Sequence, residues 1–125
     1  MEEIVMSDFN ELMDAVHTQA NDLGWHDTEQ TEDAYIERMC NNLHDEVSEL
    51  HEAWRNGVHR EDCDKADGMR KAKLPVLTAI EEELADIVIR VMCDSAHLGI
   101  DLLTAVKVKL QYNRIRGYRP GGKKS

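Results

Sequence analysis

Aromatic residues are scarce in this chain: one Phe, three Tyr and two Trp among 125 residues. With only two prolines and seven glycines, that composition suits helices better than sheets. No apolar run approaches the ~20 residues of a membrane span, so no membrane partner is expected. The amino terminus, MEEIVMSDF, lacks the basic segment and long apolar stretch of a secretory signal. Cys40, Cys63 and Cys93 are odd in number and too dispersed for a zinc site. Reduced thiols in a cytoplasmic protein are the expectation. The length allows one domain with one modest core.

Basic residues are short in the body and acids are missing from the tail. Residues 1–101 hold eight Lys or Arg against all 25 Asp and Glu, a net charge of −17. Residues 102–125 hold seven Lys or Arg and no acid, a net charge of +7. A uniformly acidic protein repels a nucleic acid polymer. An acidic body with a basic tail either holds a phosphate-bearing ligand between metal and cations or simply offsets its own charge.

Four helices are predicted, and no strand pattern competes with them. The first runs from about 8 to 23, with Ser7 as N-cap and Gly24 as its stop. The second starts behind Thr31, carries Ile36, Met39, Leu43, Val47, Leu50 and Trp54 at helical spacing, and stops at Gly57. Residues 58–73 are charged and without clear period, which predicts a loop. The third helix opens either with Pro75 in its first turn or, slightly later, with a capping box of Thr78 and Glu81. It ends at Gly99. Asp101 then caps a fourth helix that runs to about Arg116 and stops at Gly117. The third helix is apolar over more than one face, since Val88, Ile89 and Met92 widen the stripe of Leu84, Ile87 and Val91. Three companions hardly surround it, so the expected fold is an all-α four-helix bundle completed by homodimerisation.

Two pairs of carboxylates recur at the same place on two of these helices. Taking about 100° per residue, with Leu43 and Ile80 as the stripe centres, Glu46 and Glu83 both fall about 60° off the stripe on the same side. Glu49 and Asp86 both fall about 120° off, whereas Glu81 and Glu82 lie on other faces. If the stripes pack together, four carboxylates line one edge of the seam. Such a cluster is repulsive alone and becomes an all-oxygen site when it holds a hard divalent cation such as Mg²⁺. Acids flanking a helix stripe are also commonplace in solvated form, and the periodicity leaves both readings open.

These residues resemble the MazG-like all-α nucleoside triphosphate pyrophosphohydrolases, a superfamily that also includes dimeric dUTPases and HisE-type enzymes. The family motif, ExxE on one helix and ExxD on the next, reads Glu46-Val-Ser-Glu49 and Glu83-Leu-Ala-Asp86 here. The likeness extends to GW at 24–25, LGIDL at 98–102 and KLQYNRIRGYRPGGKK at 109–124. It implies hydrolysis of a nucleotide between the α- and β-phosphates, giving a nucleoside monophosphate and pyrophosphate. Glu46, Glu49, Glu83 and Asp86 would hold Mg²⁺, with Mn²⁺ as a possible substitute, and Glu46 or Glu49 would take the proton from the attacking water. Lys109, Asn113 and Arg116 match the family's K-x₃-N-x₂-R pattern of phosphate donors. Lys123 would close over the same phosphates from a basic tail, 118–125, expected to be flexible. Trp25 and His17 are the candidates for contact with the nucleobase, and Trp54, on the apolar stripe, is either a core residue, the favoured reading, or a further stacking partner for the base. The expected assembly is a homodimer or a dimer of dimers, and the substrate stays open among a canonical dNTP, dUTP and a modified nucleotide removed by house-cleaning.

The chain departs from the pattern in two places. Many relatives carry His before the tail's Gly-Gly-Lys, where this chain has Pro120. Arg90, one turn after Asp86, is either a phosphate ligand or a counter-ion that trims the excess negative charge. Two other functions compete. Asp14/His17 and Asp94/His97 have the spacing of di-iron bundle ligands, but the glutamate set is missing. A non-catalytic helical module that senses nucleotide or binds a partner is the second.

Overall fold

The computed structural model describes residues 9–24 and 30–117. Trp25, Pro120, Lys123 and the rest of the 118–125 tail, on which expectations above rest, lie outside the described residues, as does the Ser7 cap. The described chain is all-α: α1 (Phe9–Asp22), α2 (Glu32–Arg55), α3 (Ala66–Lys71), α4 (Ala79–His97) and α5 (Leu102–Ile115). None of these helices is long and apolar enough to cross a membrane.

Local chemistry sets the helix ends. Thr31 caps α2, its side chain accepting from the Ala34 N–H at 3.1 Å. At the far end Gly57 takes a left-handed φ of 72°, which lets the Val58 N–H turn back to the Ala53 carbonyl at 3.0 Å. α4 opens on the capping box of Thr78 and Glu81, in which the Thr78 N–H donates to Glu81 Oε1 at 2.8 Å and the Glu81 N–H to Thr78 Oγ1 at 3.3 Å. Pro75 therefore stays outside the helix. Asp101 caps α5 by accepting from the Thr104 N–H at 3.1 Å.

The segment 58–77 differs from its expected looseness. It contains the six-residue α3, too short to show a helical period, and it is sewn to the start of α4. The Cys63 N–H donates to the Leu77 carbonyl at 3.0 Å, Ala79 N–H to Glu61 at 2.8 Å, and Ile80 N–H to His59 at 2.9 Å. Arg70 braces the segment from within by ion pairs to Asp62 and Asp67. Cys63 and Ala66 are the segment's own buried residues. This strap covers the side of α4 on which Glu82 lies.

α4 is the central element and packs against both α1 and α2, while α5 touches it only lightly. The buried face of α2 is rotated from its apolar stripe. Tyr35, Met39, Asn42, Leu43, Glu46, Leu50 and Ala53 are the residues at least partly covered, and their mean direction lies about 55° from Leu43, close to Glu46. The opposite flank of the stripe is open: Val47 is 53% and Trp54 59% exposed. Trp54, expected in the core, lies instead beside His51, ring centroids 5.6 Å apart. On α4 the same rotation leaves Leu84 48% and Val88 51% exposed.

Candidate metal centre

Rotation of the buried faces brings the acids of α2 and α4 together. Ligand oxygens of Glu46, Glu49 and Glu83 all lie within 4.8 Å of one another. A second triplet under the same limit is Glu82, Glu83 and Asp86. Glu83 belongs to both, so the four acids singled out by helical phase fall into one cluster with Glu83 at its middle. These two groups are the only ones among the described residues arranged to hold an ion, and neither includes His17 or His97.

Glu82 is the residue that periodicity misplaced. It lies about 40° beyond Asp86 around α4, a direction that faces solvent on an isolated helix. The strap covers that side, so Glu82 is only 6% exposed. Its Oε1 accepts from the Lys65 ammonium at 2.7 Å, and its Oε2 is buried without a hydrogen-bond partner. Glu83 Oε2 is buried and unpartnered as well. Buried carboxylate oxygens without donors are costly unless they are protonated or met by water or a cation. An open cleft of about 510 Å³ borders this side of the cluster, lined among others by Glu49, Glu52, Asp62, Lys65, Glu82 and Glu83.

The electrostatics follow from the crowding. Burial, and then the charges of Glu49, Asp86 and Glu82, push the Glu83 carboxyl up to about 7. Glu46 is raised by burial and by Glu49 and Asp86, with Arg90 acting against them. Asp86 is raised by burial and by Glu82, with Lys65 opposing. Arg90 reaches Glu46 across the helix pair, Nη2 to Oε1 at 3.6 Å, and so offsets part of the cluster's negative charge.

A dependence of stability on pH follows for the metal-free protein. An unfolded glutamate titrates near 4.3. Between that pH and about 7 the folded Glu83 keeps a proton the unfolded chain has lost. Stability therefore falls as pH rises through this window, and Glu46 and Asp86 pull the same way. Glu81 and Asp101, lowered by the backbone N–H groups they cap, lose their contribution only below the ordinary carboxylate range. Thermal unfolding in chelator should give a Tm a few degrees higher at pH 5.5 than at pH 8. A Tm that rises with pH across that interval contradicts the crowded cluster.

The remaining expected residues are placed elsewhere. Lys109, Asn113 and Arg116 share one face of α5, where Lys109 and Arg116 flank the Tyr112 ring at 5.6 and 5.2 Å and Arg116 donates to Asn113 Oδ1 at 3.1 Å. No hydrogen bond or ion pair joins them to the acidic cluster among the described residues. His17 meets His97 edge to face at 6.0 Å, and the His97 ring stacks on Tyr35 at 4.2 Å. Tyr35 donates its hydroxyl to buried Asp94 at 2.8 Å, and burial and that bond hold its proton on. Sequence reading missed Tyr35, because its partner lies 59 positions away. Asp94 and His97, whose spacing matches that of di-iron ligands, both contact Tyr35 instead, through the hydroxyl and the ring respectively. Compared with protein-family models, curated proteins and solved structures, the chain matches none.

Proposed function

We propose that this chain is a Mg²⁺-dependent hydrolase that cleaves a nucleoside triphosphate between its α- and β-phosphates, releasing a nucleoside monophosphate and pyrophosphate. The observation that carries the reading is the convergence of acids from two helices on a shared Glu83, with two buried carboxylate oxygens lacking partners. The donor set is all oxygen, which fits Mg²⁺ and tolerates Mn²⁺. Glu46, Glu49, Glu83 and Asp86 would hold the ions, now joined by Glu82. The bound cations would neutralise phosphate oxygens and lower the pKa of the attacking water.

The protein's own residues divide the remaining tasks. Glu49 lines the cleft, whereas Glu46 is engaged by Arg90, so Glu49 is assigned the proton of the attacking water. The resemblance to MazG-like enzymes rests on the ExxE and ExxD pairs and on the Lys109–Asn113–Arg116 pattern. Those three donors on α5 are the groups for the phosphates, and His17, edge to face with His97, remains the candidate for the base among the described residues. Nucleotide-pool house-cleaning is the role that fits such a reaction.

A homodimer is part of the proposal. α5 buries none of its residues in the single chain and exposes Val106, Val108, Leu110, Tyr112 and Ile115. Leu84 and Val88 on α4 and Val47 and Trp54 on α2 add further exposed apolar area. A second copy would cover it and offers a route by which α5 donors reach an acidic cluster.

The test is a panel of canonical and modified nucleotides with Mg²⁺, with pyrophosphate and orthophosphate measured separately. Pyrophosphate release abolished by chelator is the expected result. Orthophosphate as the product refutes the cleavage site, and nucleotide binding without turnover identifies a sensing module instead.

A further inference from the structure

Glu82 and Lys65 form a contact that the proposed chemistry does not require. The pair is lopsided: the Lys65 side chain is 65% exposed, whereas that of Glu82 is 8% exposed. The ammonium is reached from water along its own stem, and the carboxylate cannot follow it out. Lys65 also meets Asp64 at 3.3 Å, and its charge acts on Asp86. It therefore stands beside the Glu82–Glu83–Asp86 triplet, the second of the two groups able to hold an ion.

We propose that Lys65 is a built-in counter-ion for this second cation position, and that a divalent ion binding Glu82, Glu83 and Asp86 takes its place. The inference rests on the reading of the acidic cluster as a metal centre and adds a resident competitor to half of it. Stripping a buried carboxylate of its cation leaves an uncompensated charge, which is strongly unfavourable. The ammonium therefore leaves Glu82 only when another cation arrives. A divalent ion does more than replace it. It brings a second positive charge to a triplet that includes Glu83, whose Oε2 has no partner, while Lys65 reaches Glu82 through Oε1 alone.

The strap is built so that this exchange costs little elsewhere. Backbone bonds on both sides of Lys65 hold its segment whether or not the ammonium is docked: Cys63 to Leu77, Ala79 to Glu61, and Met69 back to Lys65 at 3.0 Å. Lys65 is the residue that opens α3, yet its side chain makes no cap for that helix. Only the flexible four-carbon stem need move, and a lysine ammonium is a compact charge on just such a stem. Because Lys65 also lines the cleft, the displaced ammonium remains at its rim.

The consequence is that the two ion positions differ in affinity, the Glu46–Glu49–Glu83 group binding first and the Lys65-guarded group second. The experiment is Mn²⁺ titration of the full chain by calorimetry, with electron paramagnetic resonance counting the bound ions. Wild type should bind two ions of distinct affinity. Lys65→Met should tighten the weaker one by roughly five- to tenfold and leave the stronger one unchanged. Lys65→Arg keeps the charge and should leave both near wild type. Glu82→Gln should lose the weaker ion while circular dichroism reports an unchanged helical fold. If Lys65→Met binds two ions with wild-type affinities, or if every form binds a single ion, the exchange is refuted while the metal centre stands. If neither wild type nor Lys65→Met binds Mn²⁺, the metal centre fails and the exchange with it.

Discussion

Glu83→Gln is expected to reduce turnover by at least about a hundredfold and, in the same protein, to raise the melting temperature measured in chelator. The two effects have one origin. Glu83 is common to both triplets of carboxylate oxygens, so in the proposed centre its loss would disturb both ion positions. Substitution of residues that merely orient metal ligands commonly costs 10–100-fold, and a shared ligand costs at least the upper end of that range. Without metal the same carboxylate is a liability. It is driven up to about 7 by burial and by Glu49, Asp86 and Glu82. At pH 8 it is ionised among like charges, and the neutral amide relieves that repulsion. A gain of a few degrees in Tm at pH 8 is the rough expectation, shrinking towards pH 5.5 where the wild-type carboxyl is itself protonated. Mg²⁺ should then stabilise wild type and do little for the variant. Wild-type turnover in Glu83→Gln at limiting Mg²⁺ removes the proposed centre.

Signals confined to a few neighbouring residues were legible in the sequence. Thr31, the Thr78–Glu81 box and Asp101 cap the helices they were expected to cap, because a cap is a contact across three residues. The phase of Glu46, Glu49, Glu83 and Asp86 was legible for a similar reason: one helix face is set by arithmetic within a turn or two. Glu82 was not. Its burial depends on Lys65, 17 positions earlier, in a segment whose six-residue helix is too short to show a period. The rotation of the buried face of α2 towards Glu46 was likewise hidden. The apolar stripe marks where hydrophobic groups are, and it does not say which flank meets this chain and which is left for a neighbour. The Tyr35–Asp94 bond joins residues 59 apart, and no local pattern announces it.

That open flank leads to the other large effect, on assembly. Val88 is about half exposed on α4, with Leu84 one turn before it exposed to a similar degree. Val47 and Trp54 occupy the matching flank of α2, so the exposed apolar side chains of the two helices lie on the same side of their stripes. If a second copy covers this surface about a two-fold axis, every substitution is made twice in the interface. Val88 is 51% exposed in the single chain, so Val88→Asp then removes about half of the roughly 1.5–3 kcal/mol of a full side-chain burial from each copy, and it places two carboxylates where apolar contact is required. The substitution should weaken the dimer by roughly a hundredfold once the cost of the two carboxylates is included, which should show as a shift towards monomer at micromolar concentration. Sedimentation of wild type and variant is the measurement, and a wild type that sediments as a monomer at micromolar concentration refutes the interface outright. The variant also separates assembly from metal binding. Its carboxylates and strap are untouched, so Mn²⁺ should still bind. Turnover should be lost if phosphate donors from α5 of the second copy complete the site. A monomeric Val88→Asp with full turnover would mean that each chain supplies its own Lys109, Asn113 and Arg116, and that the apolar flank serves assembly alone.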